Sequence, residues 1–155
     1  MRFGTWTILC LALTCAMASQ AATQERRLKR ADLPAAVQKT ADQESQGASV
    51  RGYSSEKNGD QLEYEVAMTI RGHNRDVTIS ADGSVVEVEE EIALDSLPAP
   101  VRAGLLQLAG SGRIINVESL TKRGALVAYE AHVRTGTRRS EIQVGPDGKP
   151  LAHPE

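Results

Sequence analysis

The chain has 155 residues, with 18 basic and 20 acidic side chains and a formal net charge of −2. So small a net charge argues against a general attraction to nucleic acid or to an anionic membrane surface. The length is that of one ordinary domain, and aromatic residues make up only 3% of the chain, so its core must be mainly aliphatic.

The N-terminus has the pattern of a secretory signal peptide. Arg2 is followed by an uncharged apolar run over residues 6–18, which ends in an Ala-Met-Ala sequence typical of cleavage sites. This run is shorter than the ~20 apolar residues that a membrane-spanning helix needs. We therefore expect a cleaved signal peptide over residues 1–22, no stable membrane insertion and a periplasmic or secreted bacterial protein. Cys15 leaves one alternative open, a lipoprotein acylated at that thiol.

Cleavage would change the composition of the mature chain in two ways. Loss of Arg2 lowers the basic count from 18 to 17 against 20 acidic side chains, a net charge of −3. Loss of Cys10 and Cys15, the two cysteines, removes any disulfide or thiol chemistry. Residues 23–31 are polar and basic without an apolar period, so we expect a flexible lead-in there.

The remainder of the sequence repeats itself after 64 or 65 residues. Three short motifs recur: Leu33-Pro34 as Leu97-Pro98, Tyr64-Glu65 as Tyr129-Glu130, and Asp82-Gly83 as Asp147-Gly148. We therefore expect two tandem repeats, residues 32–94 and 95–155.

Each repeat is predicted to open with a helix. In the first, Asp32 is the expected N-cap and Gly47 follows the last turn. In the second, Ser96 and Gly110 have these roles. Apolar residues share one helix face in both repeats, namely Leu33, Val37 and Ala41, then Leu97, Val101, Leu105 and Leu108.

About four strands are predicted to follow each helix. In the first repeat they cover residues 48–57, 62–70, 75–80 and 85–92, and Asn58-Gly59 is expected to form a type I′ turn between the first two. The last strand of the second repeat should be short, because Pro150 cannot donate a hydrogen bond to a neighbouring strand.

The predicted fold is α+β, with two tandem copies of a helix plus about four antiparallel strands and both helices on one face of the sheet. Alternation along the strands places Tyr64 and Tyr129 on the covered face. The opposite face should be open and polar. Its expected residues are Glu63, Glu65, Thr69, Thr78, Glu130, His132, Glu141 and Gln143.

The order of signal peptide, Leu-Pro-x-x-Val helix, Tyr-Glu strand and Asp-Gly turn, given twice, resembles the PepSY-like domains of bacterial secreted proteins. The resemblance covers residues from about 32 to 151, and those domains are related in fold to the β-lactamase inhibitory protein. It implies a non-enzymatic periplasmic or extracellular module that inhibits or binds an envelope enzyme such as a peptidase. It brings no catalytic residues, and it implies that binding uses the open face of the sheet.

Residue patterns for catalysis or metal binding are weak. His73, His132 and His153 lie in no motif with a nucleophilic serine, and no His-x-x-x-His or His-Glu-x-x-His pattern occurs. The acidic run at residues 87–91 is predicted to lie on a strand, where side chains diverge to two faces, so we interpret it as a solvated edge or linker. We expect no catalytic site, no metal and no cofactor.

The turn between the second and third strands is basic in both repeats. The residues concerned are Arg71, His73 and Arg75 in the first repeat, and Arg134, Arg138 and Arg139 in the second. If the repeats lie side by side, these turns share one end of the sheet, where guanidinium groups can pair with carboxylate or phosphate. Together with Glu65, Glu130 and His132 of the open face they form the predicted binding site.

Two classes of function fit this sequence. The first is an interaction module whose partner is a periplasmic or extracellular protein. The second is a sensor or carrier that holds a small anion or an acidic glycan at the basic turns. The size of the binding surface separates them, because a protein partner needs ~800 Å² per side and a small ligand needs a pocket of ~300 Å³ or more. The pattern leaves the oligomeric state open.

The signal peptide gives the first testable prediction. The exported protein should start after a residue between 18 and 22 and carry no lipid. Intact mass spectrometry of periplasmic material measures this directly. A product that retains residues 1–18, or one acylated at Cys15, would contradict it.

Overall fold

The structure is a computed structural model that describes residues 25–155, so the expected signal peptide lies outside the described residues. The elements are β1 (Arg26–Leu28), α1 (Ala35–Glu44), β2 (Ser49–Asn58), β3 (Gln61–Ile70), β4 (His73–Ser80), β5 (Val85–Glu91), α2 (Ala99–Ala109), β6 (Arg113–Lys122), β7 (Ala125–Thr135) and β8 (Arg138–Val144). Eight strands form one antiparallel sheet in chain order, β1 to β8. The predicted α+β class is therefore confirmed.

Helix α1 covers the half of the sheet that contains β2 to β5. Val37 and Ala41, four residues apart, are both fully buried, as the periodicity predicts. Residues from the helix segment and from one face of the strands form a single apolar cluster: Leu33, Val37, Ala41, Tyr64, Val66, Met68, Val77 and Ile79. The alternation along β3 and β4 thus directs every second side chain into this cluster.

Helix α2 covers the second half of the sheet in the same way. The second cluster consists of Leu97, Val101, Leu105, Val117, Tyr129, Ala131 and Val144. Leu108, predicted on the same helix face, is 40% exposed, so the buried face ends one turn earlier than expected. Neither α-helix of residues 25–155 is long and apolar enough to cross a membrane.

The helix starts differ from the prediction. Asp32 and Ser96 do not cap the α-helices but lie in preceding 3₁₀ turns, and Pro34 and Pro98 occupy the N-cap positions. The cause is a steric clash with the proline ring, which restricts the preceding residue to extended backbone. Leu33 accordingly has φ −73° and ψ 146°. The helix can therefore begin only after the proline.

The first predicted hairpin turn is shifted by one residue. Asn58 pairs with Gln61, so Gly59 and Asp60 are the central residues, and Gly59 has a φ of +61°. The predicted type I′ turn at Asn58-Gly59 is therefore wrong. Positive φ at both central residues occurs instead at Arg71-Gly72 and Arg123-Gly124, where the arginines have φ of +52° and +50°. This conformation costs a non-glycine residue roughly 1–2 kcal/mol.

The two ends of the described chain also lie on the sheet. Residues Arg26–Leu28, expected within an irregular lead-in, form the edge strand β1, and Leu28 packs against the first cluster. At the other end, β8 is followed by a single bridge between Val144 and Pro150. The second half of the sheet therefore has three strands and an isolated bridge, as expected from the missing N–H of proline.

Both tyrosines of the repeated motif lie on the covered face, as predicted. Tyr64 is 9% exposed and Tyr129 is 8% exposed, each in the cluster beneath its own helix. Their equivalent positions follow from the same alternation on β3 and β7.

We expect Tyr129→Ala to lower the free energy of unfolding by ~3–5 kcal/mol, as for other buried aromatic side chains. Tyr129→Phe, which keeps the ring, is the matched control and should unfold close to wild type. Chemical denaturation measures both. If Tyr129→Ala melted within about 1–2 °C of wild type, the ring would contribute little to the second cluster.

Candidate functional site

The face of the sheet opposite α1 and α2, here called the open face, carries the second set of alternating residues. The strand register connects its positions across the sheet: Glu65 lies opposite Thr78, Thr78 opposite Glu87, and Glu87 opposite Lys122. The same register places on it all eight residues that the sequence assigned to the polar face: Glu63, Glu65, Thr69, Thr78, Glu130, His132, Glu141 and Gln143.

Carboxylates run across the middle of the open face on five neighbouring strands. This carboxylate band consists of Glu65 on β3, Asp76 on β4, Glu87, Glu89 and Glu91 on β5, Glu118 on β6 and Glu130 on β7. The acidic run at residues 87–91 was expected to be a solvated edge or linker. It belongs instead to β5, which pairs with β4 on one side and β6 on the other, so its open-face carboxylates are partly shielded from water.

Few cations balance this charge. Arg51 pairs with Asp76 at 2.7 Å, and Lys122 lies 3.9 Å from Glu87. Among the described residues, no lysine or arginine nitrogen lies within 4.0 Å of the carboxylates of Glu65 or Glu89. The centre of the open face therefore concentrates acidic groups with few cations to compensate them.

The concentration of carboxylates alters their protonation. Burial, reinforced by the charge of Glu118 and Glu87, raises the pKa of Glu89 to about 8. Burial also raises the pKa of Glu65 to about 7, with further repulsion from Asp76. The pKa of Glu87 is raised by burial although Lys122 opposes the shift. Each carboxylate would gain from a positive charge placed over the band.

His132 extends the negative region toward β8. Its Nε2 lies 3.3 Å from Glu118 Oε2 and 3.5 Å from Glu130 Oε1. Its Nδ1 lies 3.6 Å from Glu141 Oε1. His132, which the sequence placed in the predicted binding site but in no catalytic motif, therefore contacts three carboxylates.

The basic turns come only partly together. The β3–β4 and β7–β8 turns lie at the same end of the sheet because the strands alternate in direction. They are four strand spacings apart, roughly 19 Å. Arg71 and His73 border a depression of about 450 Å³ together with Glu90 and Glu91, so carboxylates line this turn as well.

Arg75 does not belong to that end of the open face, which corrects the prediction. It lies in phase with Val77 on the covered face, where its guanidinium donates to Glu44 Oε2 of α1 at 2.7 Å. Its ion pair with a helix carboxylate supports the packing of α1 against β4.

The strands beside the second basic turn carry a row of arginines, only part of which the sequence predicted. Arg134 lies opposite Arg139 on β8 and opposite Arg113 on β6, and all three are on the open face. This arginine row has no carboxylate within 4.0 Å of its guanidinium nitrogens among residues 25–155. Arg138, next to it, is at the turn itself and is exposed.

The C-terminal residues lie over part of the open face. The N–H of Glu155 donates to Gln143 Oε1 at 2.8 Å, and its carboxylate is 3.6 Å from Lys122 Nζ. A depression of about 370 Å³ lies between this segment and the sheet, next to Glu130 and Glu141. At the opposite edge, a second depression of about 430 Å³ lies over β1 to β3 and includes Glu65.

Sequence reasoning missed several open-face residues because it did not establish the register between neighbouring strands. Glu118, Asp76 and Arg113 were not singled out. The alternation of Asn116, Glu118 and Leu120 was available as a signal, but a bulge between Ile114 and Asn116 shifts the phase of β6. Because of this bulge Ile115 is exposed although Val117, two residues later, is buried.

Solved structures from Bacteroides share this fold. A BLIP-like protein from Bacteroides fragilis gives a TM-score of 0.57 at 16% identity, over 77% of this chain and 83% of its own. A protein described as periplasmic from Bacteroides eggerthii gives 0.63 at 19%, over 77% and 86%. A DUF2874 family protein from Bacteroides ovatus gives 0.60 at 18%, over 77% and 84%. At these identities the similarity establishes a BLIP-like fold, and no family model or curated protein matches the chain.

The raised pKa of Glu65 predicts a stability that depends on pH. Its pKa in the folded state is about 7 against an ordinary 4.5, so the folded state binds the proton more tightly and loses stability as pH rises from about 4.5 to 7. Asp76, Glu25 and Glu56 contribute to the shift and Arg51 opposes it.

Glu65→Gln should therefore raise the melting temperature by about 2–4 °C at pH 8 and change it little at pH 5. Glu63→Gln is the matched control, because Glu63 lies on the same strand and face and accepts a hydrogen bond from Asn58 at 3.2 Å. Thermal melts at the two pH values measure the effect. An equal shift at both pH values for Glu65→Gln would show that its carboxylate titrates normally.

Proposed function

We propose that the protein is a non-enzymatic interaction module of the periplasm that binds a protein partner through the open face of its sheet. The partner in this proposal is an envelope protein, such as a peptidase that the module inhibits. The BLIP-like fold supports a protein-binding role, and the description of a structural neighbour as periplasmic supports the compartment.

The carboxylate band is the observation that carries this proposal. Eight strands spaced by ~4.8 Å make the open face roughly 34 Å wide, enough for the ~800 Å² that one side of a standard interface needs. Its half-buried carboxylates are held by the sheet and not by mobile loops, so the charge pattern is fixed before binding. A partner with a basic surface segment would neutralise the band and would be steered to it.

We assign residues 32–94 and 95–155 to two PepSY-like repeats. Support comes from the equivalent packing of Gly83 and Gly148, whose φ angles are +91° and +81°. A Cβ on Gly83 would lie 3.0 Å from the carbonyl oxygen of Ala36, and one on Gly148 would lie 2.3 Å from that of Pro100. In both halves the Asp-Gly turn presses against the start of the helix.

The arginine row favours a second candidate function, binding of a small anion or an acidic glycan. Arg113, Arg134 and Arg139 lie side by side on three strands, and guanidinium groups pair bidentately with phosphate, sulfate or carboxylate. Titration with inorganic phosphate and with a sulfated oligosaccharide tests this function. An affinity lost in Arg134→Gln would support it, and unchanged binding by that variant would exclude the row.

The position of the interface can be tested with two variants that each remove two carboxylates. Glu65→Gln combined with Glu87→Gln removes two carboxylates of the band, and both positions should tolerate the change because burial disfavours their charge. Glu90→Gln combined with Asp95→Asn also removes two carboxylates, away from the open face. Mature wild-type protein immobilised on a sensor captures partners from periplasmic extract, and binding of the purified partner is then measured.

The open-face variant should slow association by about tenfold or more, and association of wild type should slow further as salt rises. The control variant should bind like wild type. The pair Arg71→Glu and Arg138→Glu separately tests the basic turns, which we expect to affect association less than the band does. Loss of binding in the control with normal binding in the open-face variant would place the interface on the helix side and overturn the proposal.

A further inference from the structure

We infer that Glu118, Glu130 and His132 form a binding site for a divalent transition-metal ion of the zinc class on the open face. These three side chains project from neighbouring strands β6 and β7, where Glu118 lies directly opposite Glu130 and His132 follows two residues later. Their ligand atoms all lie within 4.8 Å of one another. The inference concerns a ligand that can be tested without any protein partner.

The separations between the atoms fit a metal ion. Zinc is bound at ~2.0–2.2 Å by nitrogen and carboxylate oxygen, which places neighbouring tetrahedral ligands roughly 3.3–3.6 Å apart. The distances from His132 Nε2 to Glu118 Oε2 and to Glu130 Oε1 are 3.3 and 3.5 Å. The ligand atoms of Glu118 and Glu130 lie within 4.8 Å of each other, so an inward movement of these carboxylates would bring all three ligands around one ion.

In Glu118 and Glu130, the second carboxylate oxygen already accepts a hydrogen bond from a neighbouring side chain. Asn116 Nδ2 donates to Glu118 Oε1 at 2.7 Å. Gln143 Nε2 donates to Glu130 Oε2, also at 2.7 Å. These hydrogen bonds leave Glu118 Oε2 and Glu130 Oε1, the atoms nearest His132, to converge on a common point.

Glu141 completes this arrangement on the imidazole. Its Oε1 lies 3.6 Å from His132 Nδ1, on the side of the ring away from the two ligand carboxylates. At 3.6 Å this is a charge contact and not a hydrogen bond, and a small rotation of the exposed Glu141 side chain would let it accept the Nδ1 proton and orient the ring for metal binding through Nε2.

Burial and charge support the same conclusion. The side chains of Glu118 and Glu130 are only 12% and 15% exposed, whereas His132 is 36% exposed. The ion would therefore rest on a shielded floor of two carboxylates with one side accessible, and depressions of about 370 Å³ beside Glu130 and about 450 Å³ beside His132 border the cluster. The rest of the carboxylate band adds a field that attracts cations, and the arginine row on the other side of His132 opposes it.

The ligand set distinguishes the class of metal. An imidazole nitrogen with two carboxylates suits zinc and its neighbours, whereas calcium takes six to eight oxygen ligands. Three protein ligands leave a fourth position for water or for a side chain supplied from outside. The site would thus be open and not purely structural.

Titration of the mature protein with Zn²⁺ by calorimetry should show one equivalent bound. Binding should be lost in His132→Ala, and Glu141→Gln should weaken it by about 10- to 100-fold, as for other residues that orient a ligand. His73→Ala, which removes an exposed histidine at the β3–β4 turn, is the matched control and should bind like wild type. Circular dichroism checks that each variant is folded.

Co²⁺ gives an independent readout of the same site. The wild-type protein should develop visible absorption bands typical of a four-coordinate ion, and Glu130→Gln should weaken them even if His132→Ala fails to fold. Equal Zn²⁺ binding by His132→Ala and His73→Ala would overturn the inference. Preferential binding of Ca²⁺ that is insensitive to His132→Ala would overturn it as well, because the ion would then be held by the carboxylates alone.

Discussion

Helices α1 and α2 cover only one face of the sheet, and the rest of this structure depends on that constraint. Successive side chains of a strand point to opposite faces, so a strand that contributes Tyr64 or Tyr129 to the core places the next residue, Glu65 or Glu130, on the open face. The antiparallel register then brings such residues of neighbouring strands side by side. The carboxylate band is the consequence of this arrangement on five strands in succession.

The band has an energetic cost that the two apolar clusters must offset. Like charges directly opposite each other on neighbouring strands are destabilising, and burial of their carboxylates adds to the penalty. Such local conflict is characteristic of functional sites. A basic partner surface and a metal ion would relieve the same conflict by different means, the first over the whole band and the second where Glu118, Glu130 and His132 converge.

Sequence and structure agree most closely where a position depends on local alternation. The positions of Glu65, Glu130 and His132 on the open face followed from the alternation of residues within each strand. Arg75 follows a basic turn but is in phase with Val77, so it lies on the covered face and not with the predicted binding site. Its ion pair with Glu44 depends on where α1 lies. Glu118 was missed since its importance arises only when β6 is paired with β7.

The sequence by itself determined the α+β class, the apolar faces of both helices and the covered positions of the tyrosines, because these depend on periodicities of four and two residues. Only the tertiary structure decided which charged side chains meet. Strand pairing across the two halves brings together residues distant along the chain, such as Glu89 on β5 and Glu118 on β6. Distances between side chains, and hence electrostatics and ligand geometry, exist only once that pairing has formed.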